Sequence, residues 1–398
     1  MKEYLFNYII KQNKVLLFVS SWVADQLLID KEFSIDNWDK NQISLLVMEQ
    51  KKIIKKLSKL SKTVNFVTNI IIEDALLPGL RFKTKTLEIF NCIDENTMVK
   101  DAKNSVEQTI SEQLTNSTSF EIVNVFAQLY RLKIDDKLTK SYLSYPKNKI
   151  GKALQTNFAY AYLTKENELL NYLKFTFSKN NININSIITE NQALLGSKGN
   201  QNSKNELFVK YDYSTVFLAA NFNNKIYASR NFKHSLERQL DLLKNKYKLS
   251  NDQLEMYLST FEKVKEVVSQ DLIKNDVIMI EIQEILTKFF DAINNEIAKF
   301  MDSIDYKIHV IKQFGFSRIA LKNVLVANFP ECSIQSLIID NNNYINELVN
   351  GLISLNNYQS QNKNLNDTLS NTLEIKNNSF WKRLFDQNKN MKAVNNGK

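Results

Sequence analysis

The sequence predicts an α/β protein with more than one domain, and three observations carry this prediction. The chain has 398 residues, which is long enough for at least two domains with separate cores. Along most of its length, stretches of helical apolar periodicity alternate with short apolar runs typical of buried strands. Hydrophobic residues make up 43% of the chain and charged residues 24%, which is the composition of a globular protein.

The first part of the chain reads as two strands, a helix and a strand. Residues 14–30 are predicted to form the paired strands. From Asn41 to Leu60 the apolar residues recur on one helical face, and lysines cover the other face. Thr63–Ile72 is predicted to be a buried strand, and a Pro-Gly turn precedes the strand Thr84–Phe90.

The middle of the chain repeats this alternation. Thr164 is the predicted N-cap of a helix whose leucines face inward. The predicted elements are the helix Asp101–Leu114, the strands Phe120–Leu132, 152–163 and Ile184–Ile188, and the helix Lys165–Phe177. Residues 196–205 have the composition of a linker.

The second half begins with a meander of three strands at 206–232 and continues mainly as helices. Ser235 is predicted to open one helix, and Ser250 with Gln253 forms the capping-box pattern of another. The remaining predicted elements are the helix Ile278–Met301, the strand Tyr306–Ile311, the helix Ile319–Ala327, the strand Ser333–Ile339 and the helix Tyr344–Leu355.

Composition excludes several classes of function. The net charge is +9, but the lysines are scattered beside acidic residues and no nucleic-acid-binding motif accompanies them, so no nucleic-acid partner is expected. Cys92 and Cys332 lie far apart, and His234 and His309 form no ligand cluster. We therefore expect reduced thiols in a cytosolic protein and no metal site.

The end of the chain has its own organisation. Residues 356–378 are rich in Asn, Ser and Gln and are predicted to be a disordered linker. On a helix over 379–392, four apolar side chains fall within an arc of roughly 140° and basic residues flank them. The predicted membrane-binding residues are Phe380, Trp381, Lys382, Arg383, Leu384, Phe385, Lys389 and Lys392. Packing of this helix on the protein's own body, or in a groove of a partner protein, stays open as an alternative.

Three segments together resemble FtsA, the actin-like protein of bacterial cell division. Residues 120–195 keep the order of strands, turn, strand, helix and strand typical of its subdomain 1C, 206–232 are similar to the paired strands that open subdomain 2A, and "FWKRL" is similar to its C-terminal membrane-targeting helix. The resemblance implies an actin-like (ribonuclease-H-like) fold with two lobes. It implies subdomain 1A at 1–93 with 340–355 returning to it, 1C at 94–195, 2A at 203–233 and 277–339, a reduced 2B at 234–276, the linker 356–378 and the tail helix 379–392.

The nucleotide loops depart from the family pattern. The first phosphate loop aligns with "FVSSWVADQ", which holds Ser20 and Ser21 but no glycine. The second aligns with "VKYDYSTV", and the adenosine-side turn is reduced to "FGFSRI". The degenerate loop positions are Ser20, Ser21, Lys210, Asp212, Ser214, Thr215 and Gly315. A phosphate cradle exposes successive backbone N–H groups, and a tyrosine at position 213 and a carboxylate at 212 oppose this.

The resemblance and the degenerate loops lead to one functional hypothesis. The protein is expected to be a scaffold, and not an enzyme, that tethers filaments of the tubulin homologue FtsZ to anionic lipid on the cytoplasmic face of the cell membrane at the division site. Self-association would supply avidity, because one short helix binds lipid weakly. The alternatives are an active actin-like ATPase that polymerises with ATP and magnesium, and an actin-like protein of type IV pilus assembly.

Overall fold

A computed structural model describes most of the chain outside its C-terminal segment. The described residues are 2–23, 26–60, 64–90, 121–134, 139–143, 145–146, 149, 151–198, 205–267, 276–337 and 344–355. The predicted helix Asp101–Leu114, the predicted linker 356–378 and the predicted tail helix 379–392 lie outside them.

The chain divides into two compact units. Unit 1 consists of Met1–Gln201, Asn223–Tyr227 and Ile339–Thr368. Unit 2 consists of the described residues within Asn202–Phe222 and Ala228–Ile338. Among the described residues, no helix is both long enough and apolar enough to cross a bilayer.

Strands and helices alternate along the whole described chain. The first half contains β1 (Lys2–Ile10), β2 (Lys14–Val23), β3 (Gln26–Asp36), α1 (Lys40–Leu60), β4 (Val64–Ile72), β5 (Leu80–Phe90), β6 (Glu121–Lys133), β7 (Thr139–Tyr142), β8 (Ala153–Leu163), α2 (Glu168–Lys179), β9 (Ile184–Thr189) and α3 (Glu190–Lys198). The second half contains β10 (Glu206–Tyr211), β11 (Thr215–Phe222), β12 (Lys225–Lys233), α4 (Leu236–Tyr247), α5 (Asn251–Val267), α6 (Val277–Ser303), β13 (Val310–Gly315), α7 (Arg318–Asn328), β14 (Ser333–Ser336) and α8 (Tyr344–Leu355).

Two five-stranded sheets have the same strand order. The first runs β3-β2-β1-β4-β9 and the second runs β12-β11-β10-β13-β14. In both, an antiparallel hairpin (β1–β2 or β10–β11) is followed by a strand that pairs parallel with the hairpin's first strand. The resemblance implied a two-lobed actin-like fold, and the same strand order in both units agrees with it: the protein is an α/β protein of actin-like fold.

A third, antiparallel sheet of order β5-β8-β6-β7 belongs to unit 1. Tyr130, Leu132, Leu154 and Phe158 form a buried cluster on it. The predicted grouping of 94–195 into one subdomain is broader than this sheet. Strand β9 pairs parallel with β4 of the first sheet, because its apolar run suits a strand that is covered on both faces.

Helix α2 packs with the first sheet, and its Lys174 also forms an ion pair with Glu121 of β6 in the third sheet. It packs beside α1, where Lys40 Nζ donates to Glu168 at 2.9 Å and the Ser44 and Tyr172 hydroxyls lie 2.7 Å apart. One turn from its end, Phe177 meets the ring of Tyr8 edge-on at 5.1 Å. The same Tyr8 donates to Gln50, so β1, α1 and α2 share one core.

Several local predictions are corrected. Strand β1 was not predicted, although its sequence is an apolar run rich in aromatic residues; it pairs with β2 and β4. Thr164 lies too early to cap α2; the side chain of Asn167 accepts from the N–H groups of Leu169 and Leu170 instead. Gly196 lies inside α3 and not in a linker.

Other predictions are confirmed. Ser250 and Gln253 form the reciprocal capping box, with the Ser250 N–H donating to Gln253 at 2.8 Å and the Gln253 N–H donating to the Ser250 hydroxyl at 3.2 Å. Helix α8 has the predicted bounds. The two helices predicted to open at Ser235 and near Ser250 are present as α4 and α5.

Candidate functional site

In the turn between β10 and β11, the Asp212 carboxylate binds the backbone N–H groups of the turn itself. Asp212 accepts hydrogen bonds from the backbone N–H groups of Ser214 at 2.9 Å and Thr215 at 2.6 Å. It also accepts from the Thr215 hydroxyl at 3.0 Å. Because Asp212 already binds these donors, an incoming phosphate would have to compete with this carboxylate for them and would be repelled by its charge.

At a second place in unit 2, the start of α7, another carboxylate accepts hydrogen bonds. Glu262, which comes from α5, accepts from the Ser317 hydroxyl and, at 3.0 Å, from the N–H of Ile319. The first N–H groups of a helix have no partner within the helix and favour an anion. Here Glu262 is that anion.

A cavity of about 570 Å³ lies between these two places in unit 2. Its wall next to the hairpin is a stack in which the ring of Tyr213 lies 4.6 Å from that of Phe316, with 9° between the planes. The lining residues are Tyr213, Glu255, Leu258, Ser259, Glu262, Phe316, Ser317, Arg318, Ile319, Lys322 and Ser336. Aromatic, acidic and basic groups therefore surround one concave surface.

Tyr213 is protonated at neutral pH. Burial and the neighbouring Glu255 carboxylate raise the pKa of Tyr213 to about 12. Its hydroxyl donates to Glu255 at 3.1 Å. The side chain that was predicted to fill the phosphate position is thus held in place at both its ring and its hydroxyl.

The strand order identifies the equivalent turn in unit 1 as Lys11–Asn13, between β1 and β2. The backbone N–H of Gln12 donates to the Glu73 carboxylate at 2.7 Å. Lys11 forms an ion pair with Glu190 at 2.9 Å and lies 4.3 Å from the centre of the Tyr344 ring. Burial and the Glu190 carboxylate raise the pKa of Tyr344, so this phenol also stays protonated.

Ser20 and Ser21 are not in this turn, and their predicted placement in a loop is wrong. Both are buried inside β2, where they face Leu5 and Tyr4 of β1 in the register. The sequence analysis assigned them to a loop because it began the first hairpin at residue 14 and so missed β1. The two serines are part of the first sheet's interior.

The structure brings together the other predicted positions, all in unit 2. Lys210 pairs with Phe314 and Tyr211 with Gly315, so the carboxyl ends of β10 and β13 carry both degenerate loops at one edge. A Cβ at Gly315 would lie 2.3 Å from the Tyr211 carbonyl oxygen. Close strand packing therefore requires this glycine, independently of any ligand.

Sequence reasoning missed Glu73 and Glu262. Each is distant in sequence from the N–H group that it binds, and no local motif marks either one. Among the described residues, no group of three or more His, Cys, Asp or Glu side chains is arranged to hold a metal ion.

Comparisons with known proteins give likenesses to solved structures only. No protein-family model matches the chain, and no curated protein matches it. The chain is similar to a structure of the PilM-PilN type IV pilus biogenesis complex, with 11% identity over 88% of this chain and 97% of that chain and a TM-score of 0.45.

Two further solved structures are similar to this chain over comparable fractions of its length. The Lmo2764 protein of Listeria monocytogenes has 12% identity over 89% of this chain and 99% of that chain, with a TM-score of 0.44. A Bacteroides thetaiotaomicron protein with an actin-like ATPase fold has 9% identity over 87% of this chain and 95% of that chain, with a TM-score of 0.32. At these levels the likeness concerns the fold and carries nothing about activity.

Proposed function

We propose that this protein is a membrane-associated scaffold of actin-like fold that does not hydrolyse ATP and that tethers FtsZ filaments to the cytoplasmic face of the membrane. The proposal that the protein does not hydrolyse ATP rests on one observation: the chain's own carboxylates accept hydrogen bonds from backbone N–H groups in the loops that would bind nucleotide. Asp212 accepts from N–H groups in the turn that aligns with the second phosphate loop, Glu73 accepts from an N–H group in the equivalent turn of unit 1, and Glu262 accepts from one in the adenosine-side turn at the start of α7.

The free-energy costs of displacing these groups favour weak or absent ATP binding. In unit 2, a nucleotide phosphate would have to compete with Asp212 for the N–H groups of Ser214 and Thr215 and displace the Tyr213 ring from its stack. The Asp212 carboxylate is exposed and would repel the phosphate, and losing its two backbone hydrogen bonds costs about 1–3 kcal/mol. Displacing the Tyr213 ring, whose stacking contributes about 0.5–1.5 kcal/mol beyond its buried area, adds to this cost, which opposes the about 8 kcal/mol with which a micromolar ligand binds.

Calorimetric titration with ATP and magnesium tests this part. We expect a dissociation constant no tighter than about 1 mM. The variant Asp212→Asn removes the charge and keeps the size and one acceptor, and it should stay weak because Tyr213 and Glu262 are unchanged. Micromolar affinity of the wild-type protein would overturn the proposal that it is a pseudo-ATPase and would favour the active ATPase.

The membrane part rests on the sequence of the tail. Burying four apolar side chains in the lipid interface yields about 6–10 kcal/mol before costs. Ordering a short helix removes much of this, and each nearby Lys or Arg returns about 1 kcal/mol on anionic lipid. A single tail therefore binds weakly and reversibly, and several tails on one filament bind stably.

Sedimentation with anionic vesicles tests the tail. The variant Trp381→Glu with Phe385→Glu should lose at least about tenfold in affinity, because two apolar side chains become charged on the buried face. The control, Asn378→Glu with Asn390→Glu, adds the same charge and removes no apolar surface, so it should lose less. Equal binding by wild type and the Trp381/Phe385 variant would show that the tail is not a membrane anchor.

Recruitment of FtsZ is a separate experiment. Fluorescent FtsZ polymer should collect on anionic vesicles only when this protein is present with its tail intact. FtsZ that stays in solution although the protein is bound to the vesicles would exclude FtsZ as the partner and leave membrane attachment unaffected.

A further inference from the structure

One surface of unit 1 combines exposed apolar side chains with a dense group of lysines. Helix α1 contains six lysines and one glutamate. At 100° per residue, its exposed apolar and lysine side chains from Leu45 onward fall on one stripe of about 140°, opposite the face that packs on the first sheet. The residues of this stripe are Leu45, Met48, Lys51, Lys52, Lys55, Lys56 and Lys59. We call this stripe, together with Phe175 of α2, the lysine face.

The apolar part of the lysine face is not covered by the described part of the protein. Leu45 is 57% exposed, Met48 is 52% exposed and Phe175 is 63% exposed. The hydroxyl contact between Ser44 and Tyr172 sets α1 beside α2, and Met48 and Phe175 lie one turn further along their helices. Large side chains exposed together in this way mark an interaction site.

Within the part of the chain that the structure describes, one lysine of the stripe forms an ion pair and the other four do not. The one acidic residue of α1, Glu49, pairs with Lys52. On α2, Lys179 lies 5.9 Å from the centre of the Phe175 ring and adds a further positive charge beside the apolar side chains. The lysines at 51, 55 and 59 follow one another at successive turns, so their charges extend along the helix.

We propose that the lysine face is a second lipid-contact surface, which rests against an anionic membrane when the tail helix is inserted. An apolar strip flanked by basic residues is the pattern of a helix that lies in an anionic lipid interface. Lysine suits this role because it is a flexible, hydrated point charge, whereas the cores of specific protein interfaces are depleted in lysine. Charge complementarity therefore favours a lipid surface over a protein partner.

This inference deepens the proposed function and rests on it, because the lysine face alone gives weak and salt-sensitive adsorption. The tail and the lysine face belong to one chain, and α8, the last described element before the tail, lies in unit 1 with α1 and α2. A 23-residue segment with the dimensions of a random coil would span about 25 Å r.m.s., which would keep unit 1 near the bilayer without fixing its orientation. Contact at two places would hold unit 1 in one orientation on the membrane.

The test uses the full chain and vesicles of phosphatidylcholine with and without phosphatidylglycerol. The variant Lys51→Glu/Lys55→Glu/Lys59→Glu should bind the phosphatidylglycerol vesicles roughly ten to a hundred times more weakly than wild type. The loss should shrink as salt is raised. The variant Met48→Ser/Phe175→Ser should bind more weakly at every salt concentration, because it removes apolar area and no charge.

Two matched controls separate charge from damage to the fold. Lys51→Arg/Lys55→Arg/Lys59→Arg keeps the charge and should bind like wild type. Lys233→Glu/Lys263→Glu/Lys288→Glu changes three exposed lysines of unit 2 and should have a much smaller effect. If the arginine variant lost as much binding as the glutamate variant, charge would not be responsible and the inference would be wrong.

Combination with the tail variant Trp381→Glu/Phe385→Glu distinguishes the two proposals. If the tail variant abolishes binding and the Lys51/Lys55/Lys59 glutamate variant binds like wild type, the tail is the sole lipid contact and this inference fails alone. If the tail variant binds like wild type and the glutamate variant does not, the lysine face acts by itself and the proposed tail anchor fails. We expect both single variants to be weakened and their combination to show no binding above that to phosphatidylcholine.

Discussion

Replacing Lys312 by methionine should destabilise unit 2 by about 3–5 kcal/mol, because it leaves a buried carboxylate without its counter-charge. Lys312 Nζ lies 2.7 Å from Glu206, and the two side chains are only 1% and 5% exposed. Asn221 donates a further hydrogen bond to Glu206 at 3.1 Å, which cannot compensate for the lost positive charge. Hydrogen exchange should accelerate in β10 and β13, and the urea midpoint measured by circular dichroism should fall.

Two comparisons make this prediction specific. The double variant Glu206→Gln/Lys312→Met should recover a large part of the loss, since no charge remains buried and the amide oxygen introduced by Glu206→Gln can still accept from Asn221. Lys299→Met removes an exposed pair with Glu296 and should cost no more than about 1 kcal/mol. A Lys312→Met protein that unfolds at the wild-type urea concentration would show that the pair does not stabilise unit 2.

Replacing Gly351 by alanine should weaken the packing of helix α8 on α3 within unit 1, although alanine is the better helix former by about 1 kcal/mol. A Cβ at position 351 would lie 1.7 Å from the Ala193 carbonyl oxygen of α3. Conversely, a Cβ at Gly196 of α3 would lie 2.6 Å from the Gly351 carbonyl oxygen of α8. The two helices therefore meet backbone to backbone, and no side-chain rotation can relieve the clash.

We expect a destabilisation at or above the roughly 1–3 kcal/mol typical of overpacking. Faster hydrogen exchange and earlier proteolytic cleavage in α8 would report it. The control Asn350→Ala changes an exposed neighbour on the same helix and should stay within about 0.5 kcal/mol of wild type. Wild-type protection of α8 in the Gly351→Ala protein would contradict the close packing of α3 on α8.

The elements that the sequence predicted well share a strong local signal. Helix α1 was predicted over Asn41–Leu60 and runs over Lys40–Leu60, because its apolar face repeats over several turns. Helix α6 begins where the side chain of Asp276 accepts from the N–H groups of Ile278 and Met279, close to the predicted start. In both, the residues that decide the structure are neighbours in the chain.

Some predictions failed on local signals, as for strand β1 and the cap of α2, and others failed because the partners lie far away in the chain. Strand β1 lies at the centre of the first sheet, and missing it displaced the first turn from Lys11–Asn13 to the region of Ser20 and Ser21. Likewise, composition alone places Gly196 in a linker, because the helix that it packs against lies more than a hundred residues later. A local pattern contains no information about such pairings.

The sequence by itself determined the alternation of helices and strands and the loss of glycine from the loop around Asp212 and Tyr213. Both features depend only on residues that are neighbours in the chain. Only the tertiary structure decided which carboxylates bind the turns and where backbones touch. Glu73 lies 61 residues from Gln12, and Glu262 lies 57 residues from Ile319. The strand order of each sheet and the packing of α5 on α7 bring these groups within hydrogen-bonding distance, and that arrangement depends on the whole unit.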